Sequence, residues 1–336
     1  MATTPVKSVG AGSARRIAAG GLAFALLCAG VSADEHAQEL LRNMHEATRT
    51  LNYDGTFVYQ RGEQLDGMRL IHRFDNEVES ERLISLSGPP REVIRNGAAV
   101  TCLFADSDGA KLDKNPPRDI IGIGFSAPVE KLASSYAFAI VGSDRVASRT
   151  ATVIAITPHD RDRYSYKLWL DEQSNLVLKS IILNSAGHTL EQVQFTQFAV
   201  VEQLAEDLLL PGFKGTHFDW QTEAGSSAAK PPLAADFAWK VGWLPTGFEF
   251  KESNTQPMSN GTPPAAHLVF SDGLAMVSVF VEAIGDNALA LRGHSSRGAV
   301  NAMSRLADPH HQITVVGEVP LGTVEKIAKS VAKFDR

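Results

Sequence analysis

Cysteine is nearly absent: the 336-residue chain has two, Cys28 and Cys102. No CxxC pair can be built from them, which excludes the usual redox and thiolate-zinc motifs. HExxH, the Walker loop and GxSxG are also missing. A zincin, a nucleotide phosphate cradle and a nucleophile elbow therefore have no local basis. Basic charge is in deficit, with 32 Lys+Arg against 38 Asp+Glu and a formal net charge of −6. A nucleic-acid binder needs a basic footprint, so the balance argues against that partner class. Long apolar runs are lacking as well. The clearest, Ile17 to Leu27, is shorter than the roughly 20 residues a membrane-spanning helix requires.

That short run has its own meaning. It follows a basic stretch with Lys7, Arg15 and Arg16 and precedes Val31-Ser32-Ala33, a small-x-small cleavage pattern. Residues 1–33 are expected to be a signal peptide cut near Ala33. Cys28 follows Leu27, where a lipoprotein signal carries a small residue, and alanines follow Arg15-Arg16 where a twin-arginine signal is apolar. Ordinary secretion is the expectation. Cleavage removes three basic residues and no acidic one, taking the net charge from −6 to −9. It also leaves Cys102 alone, so no intrachain disulfide can form and core burial must supply the stability.

The remaining chain changes period twice. Glu35 to Thr50 spaces Leu40, Leu41, Met44 and Ala47 as an amphipathic helix. From Tyr53 the period becomes two, which predicts strands near 54–61, 66–74, 77–86, 91–95 and 98–104. More are predicted near 137–142, 144–157, 162–171, 175–184 and 188–200. Asn96-Gly97 supplies a hairpin signal because both residues tolerate positive φ. A short helix is expected from Val129 to Ser135, after Pro128. Many successive strands with short turns imply one large, curved antiparallel sheet. Ala224 to Ala235 is small, Ser/Ala/Pro-rich and aperiodic, which marks a linker. A second unit follows, with strands near 247–252, 265–271, 274–283 and 311–318 and a helix over 321–333. The fold class is α+β, with domains over 34–220 and 237–336 and a linker over 221–236.

Candidate chemistry is sparse. Gly122 to Ala127 fits the loose GxGxxG/A pattern, but the surroundings read as antiparallel and Pro128 interrupts the turn, so a lid or turn is expected. Asp308, His310 and His311 could ligate a metal with His294, yet adjacent strand residues point to opposite faces. Surface histidines fit better. Cys102 reads as a buried, inert thiol. Asp75, Glu77, Glu79 and Glu81 alternate and are expected to form a solvated face. No catalytic, cofactor or metal site is expected, and the chain is read as a non-enzyme.

The stretches LNYDGTFVYQRG, MRLIHR, ERLISLSGPPREVIRNG and VTCLF resemble the RseB/MucB family of periplasmic sigma-factor regulators. WLPTGFEF, FSDGLAMVSVFVE and ITVVGEVPLGTVEKIAKSV resemble its second domain, so the likeness covers nearly all of the mature chain. It departs at Asn301 to Ser304 and at Asp308 to His311. The resemblance implies an N-terminal half-open β-barrel like the lipoprotein carriers LolA and LolB, with a smaller C-terminal α+β domain. It implies a periplasmic protein that binds the periplasmic region of an RseA/MucA-type anti-sigma factor and shields it from regulated proteolysis. Lipid, lipoprotein or lipopolysaccharide acyl chains would release it. The alternative is a plain periplasmic lipid or lipoprotein carrier, and a homo-oligomer is compatible with either.

A half-open sheet with few helices leaves an apolar concave face suited to an acyl chain, each buried methylene contributing about 0.8 kcal/mol. Phe57, Tyr59, Leu70, Phe74 and Trp169 are the candidate cavity residues, with ordinary core as the competing reading. Lys240, Arg292, Arg297 and Arg305 are candidate basic anchors for the anti-sigma segment, on a domain whose one helix covers only one sheet face.

Overall fold

The computed structural model describes residues 33–105, 125, 127–214, 216–221, 239–256, 265–285 and 291–333. The expected signal peptide up to residue 32 lies outside them, as does the expected linker apart from Gln221. Of the GxGxxG/A stretch only Phe125 and Ala127 are described.

The first half is one antiparallel sheet of eleven strands. These are β1 Tyr53–Arg61, β2 Gln64–Asp75, β3 Val78–Ser85, β4 Arg91–Asn96, β5 Ala99–Phe104, β6 Tyr136–Val146, β7 Arg149–Pro158, β8 Ser165–Asp171, β9 Val177–Leu183, β10 Thr189–Val200 and β11 Thr216–Gln221. Their order is β11-β5-β4-β3-β2-β1-β10-β9-β8-β7-β6, so β11 and β6 are edges and the sheet is not closed through them. Helix α1, Ala33–Thr50, lays Ala37, Leu41 and Met44 on the strands. Those residues repeat every three or four positions, which puts them on one helical face. Helix α2, Val129–Leu132, starts after Pro128 and buries Val129 and Leu132. A single turn of 3₁₀ helix, Glu206–Leu209, lies in the segment returning from β10.

Two apolar clusters share the face beneath α1. One joins α1 to Tyr136, Phe138, Ile154, Ile156, Tyr166, Leu168 and Leu170. The other gathers Phe57, Leu70, Leu83, Val93, Cys102 and Phe195. Phe57 faces Phe195 across the β1–β10 pair, beside a register shift at Thr56/Phe57.

The opposite face is crossed by the segment after β10. Arg82 and Glu92 form a buried pair there, Arg82 Nη2 donating to Oε1 at 2.8 Å, and Arg82 Nη1 also donates to Leu208 O at 3.0 Å. Gly212 N donates to the same carboxylate at 3.1 Å. These bonds satisfy charges that burial would otherwise leave costly.

The second half is a six-stranded antiparallel sheet: β13 Glu249–Gln256, β14 Ala265–Ser271, β15 Met276–Ala283, β16 Gly293–Arg297, β17 Val300–Asp308 and β18 His311–Gly317, in the order β13-β14-β15-β18-β17-β16. A small ribbon pairs β12 Trp239–Val241 with β19 Val331–Lys333. Helix α3, Leu321–Ser330, buries Val324, Ile327 and Ala328 against Val277, Val279, Ile313 and Val315.

Three readings need correction. The β4–β5 hairpin pairs Asn96 with Ala99, so its loop is Gly97-Ala98 and Asn96 belongs to the strand. Gly97 alone takes positive φ there, at 56°. Helix α3 stops at Ser330 rather than 333, because Val331 pairs with Val241. The acidic run is not one solvated face. Asn76 and Glu77 form a positive-φ turn, while Glu79 and Glu81 turn inward toward His72 and Arg95.

Candidate functional site

The two sheets are locked together by turns of the second that enter the first. Asp272 sits in the β14–β15 turn, its Oδ1 capping the N–H groups of Leu274 at 2.9 Å and Ala275 at 2.8 Å. Its Oδ2 accepts from Arg163 Nε at 2.6 Å and from Tyr136 O–H at 2.9 Å. Arg163 further donates to Asp160 and to Thr246 O. Gly273, at φ 103°, has no room for a side chain: a Cβ would lie 2.3 Å from Ala127 Cβ.

A second turn enters beside it. Ala299 N donates to Glu191 Oε1 at 2.9 Å, and Tyr59 O–H donates to Glu191 Oε2 at 2.5 Å. Asn301 Nδ2 donates to Tyr164 Oη at 2.8 Å and to Val319 O at 2.7 Å. Four of the five tyrosines, Tyr59, Tyr136, Tyr164 and Tyr166, thus belong to this joint or border it. Burial first, then the neighbouring carboxylates, pushes the Tyr136 and Tyr59 phenols far above their usual range. They stay neutral donors. Tyr166 is buried with no hydrogen-bond partner for its hydroxyl.

A cavity of about 550 Å³ opens between α1 and the segment entering α2. Phe125, Ala127 and Val129 form its apolar floor, and Arg42, His45, Glu46 and Glu130 its rim. Arg42 and Glu130 bridge the mouth at 2.8 Å. The volume falls in the range of small-ligand sites, about 300–1,000 Å³.

None of the five expected cavity residues lines this space. Phe57 and Leu70 share one buried cluster, with Tyr59 packed against it. Phe74 is half-buried and faces Glu79 across β2–β3. Trp169 alternates with Leu168 and Leu170, so it points to the other face. There it packs with Val146, Ala151, Val153 and Leu178, and its Nε1 donates to Asp144. Phe57 and Leu70 thus share a cluster, and Trp169 lies in a separate one.

The four expected basic anchors also scatter. Arg305 donates to Leu306 O in its own strand and to Ala328 O and Val331 O at the end of α3. Arg297 donates to Gln64 Oε1 at 2.7 Å, across the joint. Lys240 and Arg292 are exposed. The Asp308 group gathers His311 and Lys333 on one carboxylate, but His294 lies opposite Met303, five residues up β17. At about 3.4 Å per residue those histidines are far apart. Cys102 is buried, and burial raises its thiol pKa.

The arrangement defines a class: a two-sheet protein with a polar, buried joint and a cavity beside its N-terminal helix, with Phe125, Ala127 and Val129 as its apolar part. The MucB/RseB N-terminal domain model matches residues 36–213 and the C-terminal domain model residues 234–332. The chain belongs to the MucB/RseB family. It is 34% identical to the sigma factor AlgU regulatory protein MucB of Pseudomonas aeruginosa, over 88% of this chain and 90% of that one. It is 29% identical to the sigma-E factor regulatory protein RseB of Escherichia coli, over 91% and 93%. Among solved structures, the Pseudomonas aeruginosa MucA/MucB complex is similar at a TM-score of 0.74 and 33% identity, over 90% of this chain and all of that one. A crystal structure of MucB is similar at a TM-score of 0.64 and 33% identity, over 89% of this chain and 98% of that one.

Proposed function

We propose that this protein is a periplasmic negative regulator of an envelope-stress sigma factor. It binds the periplasmic region of an RseA/MucA-type anti-sigma factor and shields that region from regulated proteolysis. The observation that carries this reading is the likeness, over both sheets, to MucB solved in complex with MucA. A signal peptide ending near Ala33 would deliver it to that compartment, and its role requires no catalytic group.

Release comes from an acyl chain of lipid, lipoprotein or lipopolysaccharide seated in the cavity between α1 and the segment entering α2. Phe125, Ala127 and Val129 supply the apolar contact, and the Arg42–Glu130 bridge must part to admit it. Acyl binding weakens anti-sigma binding by the same factor as the reverse. A plain lipid carrier would use the cavity and leave the second sheet without a role.

The test is calorimetric titration of the untagged mature protein with a MucA-type periplasmic segment, with and without a fluorescent fatty acid. Tight binding of the segment, weakened by the fatty acid, is expected. Fatty-acid binding with no segment binding would leave the carrier. His45→Trp at the exposed rim should weaken acyl binding and spare the segment.

A further inference from the structure

A third group of side chains lies away from both the joint and the cavity. His72 on β2 faces Glu81 on β3 directly across the ladder, and Glu79 follows two residues along. Period-two alternation puts all three on one face. Each offers a donor atom within 4.8 Å of the other two.

His72 is fully buried, and its ring is held from two sides. It stacks on Tyr53 with centroids 4.7 Å apart and planes 10° off parallel. Its Nδ1 lies 2.8 Å from Leu51 O, the carbonyl where the chain leaves α1. A carbonyl oxygen only accepts, so Nδ1 carries the hydrogen and donates. In the neutral ring Nε2 is then a bare acceptor, yet it lies 3.2 Å from Glu79 Oε1, another acceptor. Two occupants reconcile such a pair: a proton on Nε2, which makes an imidazolium–carboxylate contact, or a metal ion between the two atoms. A metal-binding histidine is held in the same way, donating its other ring N–H to a carbonyl or carboxylate. The separation also fits: two ligands at about 2.0–2.1 Å from a tetrahedral ion lie about 3.3 Å apart.

We propose that His72 Nε2, Glu79 and Glu81 form a site for a divalent cation of borderline softness, Zn²⁺ foremost. One nitrogen and two carboxylate oxygens are a donor set that zinc accepts. Glu79 is 35% exposed through its side chain, so water reaches the fourth position. The competing cations are Arg95, 3.4 Å from Glu81, and Arg49, whose charge reaches Glu79. Metal entry shifts these guanidinium groups outward. The bound ion ties β2 and β3 to the end of α1 through Leu51, fixing the helix that borders the cavity.

Calorimetry with zinc chloride on the chelator-treated, untagged mature protein tests the site. One saturable site is expected, with Glu79→Gln and Glu81→Gln each lowering affinity about 10–100-fold. Both variants keep side-chain volume but give up ion pairs with His72 or Arg95, so circular dichroism must show each folded at the titration temperature without metal. Nitrogen NMR of His72 at neutral pH gives an independent readout: Nε2 should shift on zinc addition while Nδ1 stays protonated. Two outcomes overturn the proposal. One is zinc binding that is absent or undiminished in both variants. The other is a His72 ring carrying protons on both nitrogens and indifferent to zinc, which makes the contact an imidazolium–carboxylate pair.

Discussion

Arg163 and Asp272 are 109 residues apart in sequence and meet in a pair whose side chains are each 1% exposed, Nε to Oδ2 at 2.6 Å. Asp272 lies in the FSDGLAMVSVFVE stretch, while Arg163 lies outside every stretch that carries the family resemblance. Their contact decides how the two sheets are held, because Asp272 also accepts from Tyr136 and shapes its own turn.

Removing Asp272 leaves the Arg163 guanidinium buried with Asp160 as its remaining carboxylate partner. Breaking a buried pair from one side costs about 3–5 kcal/mol. Asp272→Ala should fall at the lower end, read as a lowered denaturant midpoint. The exposed bridge between Lys131 and Glu249 joins the same two sheets. Lys131→Ala there should cost no more than about 1 kcal/mol. Equal costs for the two variants would mean that the joint adds little to folding stability.

Two tyrosines of the joint should respond oppositely to loss of a hydroxyl. Tyr136 donates to a carboxylate, and hydrogen bonds to charged groups are worth about 1.5–3 kcal/mol. Tyr136→Phe should cost that much. Tyr166 buries a hydroxyl without a partner, so Tyr166→Phe removes an unpaid desolvation and should be neutral or stabilising. Thermal unfolding of both variants distinguishes them; a destabilised Tyr166→Phe would mean that a water satisfies the hydroxyl.

Asp171 gives a pH signature. Burial opposes its ionisation, but Arg149, donating twice at 2.8 Å, and Ser174 outweigh it and hold the carboxyl below its usual range. A carboxylate depressed in the folded state stabilises above its unfolded pKa, about 3.9, and loses that contribution as pH falls toward the folded value. Asp171→Asn should therefore be less stable than the parent at pH 7, with the gap closing below about pH 4. Urea midpoints at pH 7, 5, 4 and 3 measure it. A gap constant with pH would place the effect in packing.

The sequence was most legible where alternation is strict. Strands β1 to β5 lie within about three residues of their expected bounds, since each carries apolar residues at every second position on a buried face. β6 runs four residues past its expected end, because its turn is made by Ala147 and Ser148 in positive φ, with no glycine or asparagine to mark it. β16, Gly-His-Ser-Ser-Arg, has no apolar residue, and β17 mixes small and polar ones, so neither was expected as a strand. The α+β class and the large antiparallel sheet followed from periodicity. The joint did not, because a buried ion pair between distant turns leaves no periodic trace. Leu70 was placed on the right face, but it is core: Leu70→Asp should unfold the protein rather than probe ligand binding.

The basic residues give the last prediction, and it separates structure from recognition. Arg305 donates to three carbonyls, Leu306 O in its own strand and, at the end of α3 where the helix leaves acceptors unsatisfied, Ala328 O and Val331 O. Arg305→Ala should lower stability by about 2 kcal/mol through those lost charged bonds. Any fall in anti-sigma affinity should then follow the unfolded fraction. Arg292 is exposed just before β16, on a protein whose formal net charge is −6. A local cation on an acidic surface steers an acidic segment, and reversing it acts on association rate and salt dependence more than on folding. Arg292→Glu should therefore leave the unfolding midpoint unchanged while slowing association with the anti-sigma segment about tenfold at low salt, less at high salt. Stopped-flow association at two ionic strengths, beside a denaturant titration, reads both quantities. If Arg292→Glu associates at the parent rate at low salt, the anti-sigma segment docks away from this edge of the second sheet.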